Sequence, residues 1–220
     1  MRRLSAVQDL EVTLVGAGRS GSFVAMVLAM LGAGVRLYDP DALGPENQGK
    51  QLYRRPDVAA RRPKVRALRS LLRAVVPGAR VRGHAERFDG APVQARSPIV
   101  VVTVDTMHER RRIWEALGGA PDLLLFLDVR LGPGQVRLHE VRAGEPEDAE
   151  EYAASLHADP QAGTPACDQA ASAHAAAAAA ALVGGALAAW ADGLPRPRWI
   201  GLDLDRAQWT AGRRGSAALY

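Results

Sequence analysis

A short glycine-rich segment near the amino terminus has the clearest chemical potential in the sequence. Residues 16–21 read Gly-Ala-Gly-Arg-Ser-Gly, a G-x-G-x-x-G spacing whose backbone N–H groups can approach nucleotide phosphates where a helix begins. Asp39 follows at the end of the next apolar run, where a carboxylate can accept hydrogen bonds from ribose hydroxyls. Glycines at this spacing also occur where a helix merely packs tightly on a strand. Together with Asp39, Gly16, Gly18 and Gly21 predict a nucleotide site.

A second group of polar residues follows Asp39. It comprises Asn47, Lys50, Gln51 and Lys64. Lys50 and Lys64 are the only lysines of the chain, whose other basic side chains are arginines. Cations and side-chain amides are groups that bind the phosphates of a triphosphate. The alternative is a solvated basic loop, because four arginines lie between residues 54 and 62.

The hydrophobic pattern around these residues indicates a βαβ unit. Glu11–Gly16 and Gly34–Asp39 are apolar runs typical of buried strands, and Ser22–Leu31 is apolar at helical spacing. Pro98–Val104 is the most continuous β-branched run and leads directly to Asp105. Because the carboxyl ends of parallel strands meet at one edge of a sheet, we expect the glycine turn, Asp39 and Asp105 to lie together.

The remaining pattern predicts an α/β fold: a Rossmann-like, doubly wound, mostly parallel sheet with helices on both faces. Further strands are expected at Arg80–Phe88, Leu123–Val129, Gln135–Val141 and Trp199–Asp205, and helices at Pro63–Val76 and around Arg110 and Trp114. Residues 142–165 change to acidic, Ala and Pro composition and predict a long surface loop with one short helix at Ala149–Leu156. We expect residues 1–220 to form one domain with a frayed tail at Arg213–Tyr220.

Composition excludes several classes of protein. With 220 residues, 48% hydrophobic and 24% charged, the chain is an ordinary globular sequence. Its net charge of +4 comes from dispersed arginines with few aromatics between them, so nucleic-acid binding is not expected. Ala170–Ala191 is apolar but rich in Ala and contains His174, which favours a buried helix over a membrane span. A single cysteine and no charged-then-apolar leader lead us to expect a cytoplasmic protein.

Cys167 has two interpretations. A thiol between a Pro- and Gly-containing loop and a helix start can be partly ionised and accept an activated acyl group. Thr164 or Asp168 can instead cap that helix, and Cys167 is then a small apolar residue at its end. The sequence leaves both interpretations open.

Several motifs in fixed order resemble the ThiF/MoeB/HesA family of ubiquitin-activating-enzyme-like adenylyltransferases. The D-x-D…N-x-x-R-Q signature of that family is similar to Asp39-x-Asp41, Asn47 and Lys50-Gln51, with a lysine in place of the arginine. The segment Asn47–Gln51 also resembles the N-x-G-R-Q variant of plasmid-encoded ThiF-like proteins, including those of PRTRC gene clusters.

Three later segments extend the resemblance. Lys64 matches a lysine of the family, and Asp105 with Arg110 matches its D-x-x-x-x-R motif. Cys167, followed by an Ala- and Gly-rich helix, is similar to a segment of the thiamine and molybdopterin members. One departure lies in the phosphate turn, where Arg19 replaces a glycine of the family.

The resemblance implies ATP with Mg²⁺ as cofactors, a homodimer, and adenylation of the C-terminal carboxylate of a small ubiquitin-like or sulfur-carrier protein. It assigns Gly16, Gly18 and Gly21 to the phosphate turn, Asp39 to the ribose, Asn47, Lys50, Gln51 and Lys64 to the triphosphate, and Asp105 to magnesium. Two alternatives stay open: a degenerate relative that binds a nucleotide or a partner without catalysis, and a nicotinamide-dependent oxidoreductase. The retained Lys64 and Asp105 speak against the first alternative, and the polar cluster Asn47–Gln51 against the second.

Overall fold

An eight-stranded sheet runs through the centre of the fold. The computed structural model describes residues 7–90, 97–117, 120–132, 134–157 and 173–212. The strands are β1 Glu11–Val15, β2 Gly34–Tyr38, β3 Val81–His84, β4 Ile99–Val102, β5 Leu125–Gly132, β6 Gln135–Arg142, β7 Trp199–Asp203 and β8 Gln208–Gly212. Their spatial order is β3-β2-β1-β4-β5-β6-β7-β8, parallel from β3 to β5 and antiparallel from β5 to β8. The order reverses at β1, so β1 and β4 flank a topological switch point.

Helices cover both faces of the sheet. They are α1 Arg19–Met30, α2 Arg55–Ala59, α3 Lys64–Val75, α4 Met107–Leu117, α5 Pro146–Ala154 and α6 Ala173–Ala191, with a 3₁₀ turn at Pro45–Asn47. Side chains of α1, α3 and α6 share one hydrophobic cluster with strand residues such as Leu14 and Val101. Residues of α4 and α5 share another with Val15 and Val102. Successive strand residues point to opposite faces, which explains this division. The predicted α/β Rossmann-like fold is confirmed.

Helix α6 is packed inside the fold against α1. By length and composition it is the one helix among the described residues that is apolar enough to cross a membrane, and half of it is buried. Its glycines and alanines let it approach α1 closely: a Cβ at Gly184 would lie 3.0 Å from Val27 Cγ1. The helix predicted at Ala170–Ala191 is therefore present from Ala173, and it contributes Val183 and Leu187 to the core.

Several boundaries differ from those predicted. Helix α1 begins at Arg19, three residues before the predicted start, so Gly21 lies within its first turn. The predicted last strand is followed by β8, which the sequence analysis missed. In the predicted loop 142–165, α5 starts at Pro146, because proline is well suited to the first turn of a helix. Residues 158–172, which include Cys167, and the tail 213–220 lie outside the described residues.

Candidate nucleotide-binding site

A cavity of about 430 Å³ opens at the carboxyl ends of β1, β2 and β4. Seven residues singled out from the sequence line it: Gly16, Gly18, Asp39, Asn47, Gln51, Lys64 and Asp105. Its size lies within the usual range for small-molecule sites, and its position is the crevice that open α/β sheets use for ligands. Gly21 and Lys50 do not belong to this lining.

The glycine turn follows β1 and requires its glycines for different reasons. Gly16 has a φ of +100°, and a Cβ there would lie 2.9 Å from Thr103 Oγ1. A Cβ at Gly21 would lie 2.1 Å from the Gly16 carbonyl oxygen, so Gly21 allows α1 to pack on the turn. At Gly18 a Cβ would meet nothing within 4 Å among the described residues other than its neighbours along the chain. The backbone of Gly18 therefore faces open space that a ligand can approach closely.

Helix α1 directs its amino terminus towards the cavity. It begins at Arg19, directly after Gly18, and its first turn contains no acidic side chain. The first N–H groups of a helix have no intrahelical partners, and the helix dipole favours an anion at this end. Arg19 and Ser20 also line the cavity. The turn and the helix start are therefore suited to bind phosphate oxygens.

Asp39 is held by the backbone on both of its carboxylate oxygens. Its Oδ2 accepts a hydrogen bond from the Ala17 N–H at 2.6 Å, and its Oδ1 accepts one from the Asp41 N–H at 2.9 Å. Burial raises the pKa of Asp39, while Lys64 and these two N–H groups partly offset that effect. The carboxylate is thus fixed beside the glycine turn, with lone pairs left over for a second donor such as a ribose hydroxyl.

Lys64 is a buried cation in the wall of the cavity. It is the first residue of α3, and its N–H donates to the Asp41 carbonyl at 2.9 Å, which ties the helix start to the segment after β2. Its Nζ lies 2.7 Å from Asp41 Oδ2. Burial alone would lower the pKa of Lys64, but the neighbouring carboxylates Asp39, Asp41 and Asp105 raise it overall. Lys64 therefore stays protonated at the centre of three acidic groups.

The amide residues occupy the wall between Asp41 and α2. Asn47 is buried, and its Oδ1 accepts a hydrogen bond from the Gly44 N–H at 2.8 Å, which closes the 3₁₀ turn. Gln51 Oε1 is buried and has no hydrogen-bond partner among the described residues. A buried acceptor without a partner costs free energy, so a ligand donor at this position is favourable. Lys50, in contrast, has an exposed side chain outside the lining, and its predicted role in triphosphate binding stays a prediction.

Asp105 stands exposed at the end of β4, and Arg110 fixes the backbone next to it. Arg110 is buried, donates to the Val104 carbonyl, and pairs with Asp128, which is fully buried on β5. Arg130 and Tyr152 complete this network on the other oxygen of Asp128. The D-x-x-x-x-R spacing therefore corresponds to an arginine that holds the segment carrying the aspartate.

The acidic residues fit a magnesium ion shared with a nucleotide better than a metal held by protein alone. Among the described residues, no group of three His, Cys, Asp or Glu side chains has metal-binding geometry. Mg²⁺ commonly takes one or two carboxylates, with phosphate oxygens and water as its other ligands. Asp105, close enough to Lys64 to affect its pKa, can supply such a carboxylate.

Some residues that shape the site were assigned no role in the sequence analysis. Asp41 pairs with Lys64, and its place in the D-x-D motif was the available signal. Thr103 contacts the Gly16 carbonyl at 3.0 Å, and Tyr53 contacts the Ala17 carbonyl at 2.5 Å. Neither contact has a sequence signal, because both join segments that are distant along the chain. An Arg87–Glu109–Arg112 cluster lines the opposite rim.

Comparison with known proteins identifies the family of the chain. A family model described as the ThiF family matches residues 2–192. The chain belongs to the ThiF family. No curated protein matches the chain at the sequence level.

Solved structures resemble this ThiF-family chain in fold. Escherichia coli MccB superposes with a TM-score of 0.72 at 17% identity, covering 96% of this chain and 65% of MccB. PaaA superposes with a TM-score of 0.71 at 18% identity, covering 94% of this chain and 65% of PaaA. A further E. coli MccB structure, with AMPCPP and MccA, has a TM-score of 0.69 at 16% identity, covering 98% of this chain and 68% of MccB. The chain thus spans about two thirds of the length of these proteins, and the likeness establishes the shared fold.

Proposed function

We propose that this chain is an ATP-dependent adenylyltransferase that activates a carboxylate. The observation that carries the proposal is the cavity in which a glycine turn, a ribose-type carboxylate, a buried lysine and an exposed aspartate converge. Membership of the ThiF family supports it. An E. coli MccB structure with the same fold contains AMPCPP, an ATP analogue, which supports a nucleotide as the ligand.

The residues fit the chemistry of adenylation. A carboxylate oxygen of the substrate attacks the α-phosphorus of ATP, the bond between the α-phosphorus and the bridging oxygen to the β-phosphate breaks, and pyrophosphate leaves. Both reactants are anions, so the reaction needs positioning and charge neutralisation and no general base. Lys64 and the amino terminus of α1 supply positive charge, and Asp39 holds the ribose. The side-chain NH₂ groups of Gln51 and Asn47 would donate to phosphate oxygens from the other wall.

Magnesium is part of the proposal. Asp105 would hold the ion together with phosphate oxygens, and the ion would neutralise charge that develops on the leaving pyrophosphate. Arg110 keeps the backbone at Asp105 in place through the Val104 carbonyl. Because Asp105 is exposed, a hydrated ion can reach it without rearrangement of the core.

The proposed substrate is the C-terminal carboxylate of a small ubiquitin-like or sulfur-carrier protein, and the proposed enzyme is a cytoplasmic homodimer. The substrate and the homodimer rest on the resemblance of the motifs to the ThiF/MoeB/HesA family, and the cytoplasmic location rests on the low cysteine content. The E. coli MccB structures with MccA are consistent with a small partner of this kind. The thiol of Cys167 is the proposed acceptor if the reaction continues to a covalent acyl intermediate.

Exchange of labelled pyrophosphate into ATP tests the proposal. The reaction contains the enzyme, ATP, Mg²⁺ and a small carrier protein that ends in Gly-Gly. We expect exchange that depends on the carrier and disappears when its terminal carboxylate is amidated. Exchange should fall about 10²–10³-fold in Asp105→Asn, because one preorganised charge contact is lost.

A matched variant separates this effect from a general change of charge. Asp9 is exposed just before β1, at the opposite edge of the sheet from the cavity. Asp9→Asn should therefore exchange at the wild-type rate. Equal rates in Asp105→Asn and wild type would contradict the assigned role. Absence of exchange with Gly-Gly carriers, but exchange with another carboxylate, would correct the substrate and keep the reaction.

A further inference from the structure

Tyr53 contacts the glycine turn and does not itself line the cavity. Its ring packs against buried residues of the core, including Leu43 and Val58. Its hydroxyl donates a hydrogen bond to the Ala17 carbonyl oxygen at 2.5 Å. Burial, followed by the charges of Asp39 and Asp41, raises the pKa of Tyr53, so the hydroxyl keeps its proton. Tyr53 is therefore a permanent donor to the middle of the phosphate turn.

The hydrogen bond fixes the orientation of one peptide plane. In a trans peptide the carbonyl of residue 17 and the N–H of residue 18 point in opposite directions. Because the Ala17 carbonyl is held towards the Tyr53 hydroxyl, the Gly18 N–H points away from Tyr53. Gly18 lines the cavity, and no protein atom lies where its Cβ would be.

Neighbouring contacts fix the rest of the turn in the same way. The preceding peptide plane is held from both ends, because Ala17 N–H donates to Asp39 and the Gly16 carbonyl contacts Thr103 Oγ1 at 3.0 Å. The segment that carries Tyr53 is itself attached to α1, since the Leu52 N–H donates to Ser22 Oγ at 3.2 Å. Tyr53 is the contact that holds the second plane.

We propose that Tyr53 is a positioning residue for phosphate binding, whose hydroxyl holds the Ala17–Gly18 peptide so that the Gly18 N–H faces the triphosphate. The role rests on the proposed function, because it needs a nucleotide triphosphate in the cavity. Tyr53 itself is not part of the cavity lining and acts only through the turn. Preorganised backbone donors of this kind cost no reorganisation when the ligand binds.

Tyr53→Phe removes the donor and keeps the ring. Affinities of wild type and variant for ATP and for adenosine are measured by displacement of a fluorescent ATP analogue, at a temperature where both proteins are folded. We expect the variant to lose about tenfold in ATP affinity, which corresponds to about 1.4 kcal/mol. Adenosine has no phosphate, so its affinity should change less than about twofold, and the ratio of the two affinities should fall.

A matched variant controls for the loss of a buried hydroxyl. Thr13→Val also removes a buried hydroxyl, whose oxygen accepts a hydrogen bond from the Ser97 N–H at 3.0 Å and does not contact the glycine turn. It should lose stability and keep the ratio of ATP to adenosine affinity. If Tyr53→Phe loses the same affinity for ATP and for adenosine, or loses none for either, the proposed role of Tyr53 is overturned and the proposed function is not affected. Failure of the wild type to bind ATP would refute the proposed function and this role with it.

Discussion

Replacing Lys64 by methionine should separate catalysis from stability. Methionine keeps the apolar stem that packs in the wall of the cavity and removes the charge. Asp41, the ion-pair partner of Lys64, has a side chain that is 62% exposed. An ion pair with a partner this exposed contributes at most about 1 kcal/mol to the free energy of unfolding. The melting temperature should therefore change by no more than about 2–4 °C for a chain of this size.

The effect on the reaction should be much larger. Lys64 is nearly buried and faces Asp39, Asp41 and Asp105. Without its charge, these three carboxylates repel an incoming triphosphate with no cation between them. The loss of one charge contact in such a site lowers the rate about 10²–10³-fold, or about 2.7–4 kcal/mol of transition-state stabilisation. Pyrophosphate exchange should fall by that factor.

The matched control is Arg66→Met, which removes an exposed cation from the same helix. Thermal unfolding and pyrophosphate exchange are measured for both variants and the wild type. Arg66→Met should exchange at the wild-type rate. The reasoning is refuted if Lys64→Met unfolds at the wild-type temperature and exchanges as fast as Arg66→Met.

Three further predictions follow from the same geometry. Burial raises the pKa of Asp39, and only the charged carboxylate can accept hydrogen bonds from two N–H groups and a ribose hydroxyl. The affinity for ATP, measured as a function of pH, should therefore weaken as the pH falls through this raised pKa. The variant Asp39→Asn should bind ATP weakly at every pH. Gly16→Ala should lower the free energy of unfolding by more than Gly144→Ala does, because both glycines have a positive φ but only a Cβ at Gly16 would meet close neighbours. Backbone strain at such a position costs about 1–3 kcal/mol, and urea unfolding measures the difference. Arg110→Met should destabilise by about 1.5–3 kcal/mol, since buried Asp128 loses one of its two arginines and keeps only Arg130. The added change Asp128→Asn should restore part of that loss in the same assay.

The parts of the fold that were predicted from sequence are those with a local pattern. Glu11–Gly16 and Pro98–Val104 are buried on both faces as parallel strands, so they read as continuous apolar runs. Strand β8 was missed because its side chains are mostly exposed, including Trp209, and therefore show no burial pattern. The short helix α2 was missed for a similar reason, since its five residues are too few to show a helical period.

The site was predictable to the extent that its residues follow strand ends. Asp39 and Asp105 were placed correctly, because the carboxyl ends of β2 and β4 meet at the switch point. Lys64 was found as a motif residue, but its contact with Asp41 depends on how α3 docks beside the segment after β2. The hydrogen bond from Tyr53 to the turn spans 36 residues along the chain. Such contacts are set by packing and leave no spacing in the sequence.

Calorimetric titration of the wild-type protein with ATP and with NAD, each in the presence of Mg²⁺, tests the central claim most directly. A site in which Lys64, the amino terminus of α1 and Asp105 converge should bind ATP with a lower dissociation constant than NAD. The difference should shrink in Lys64→Met and persist in Arg66→Met. Tighter binding of NAD than of ATP by the wild type would contradict adenylylation and indicate a nicotinamide-dependent oxidoreductase.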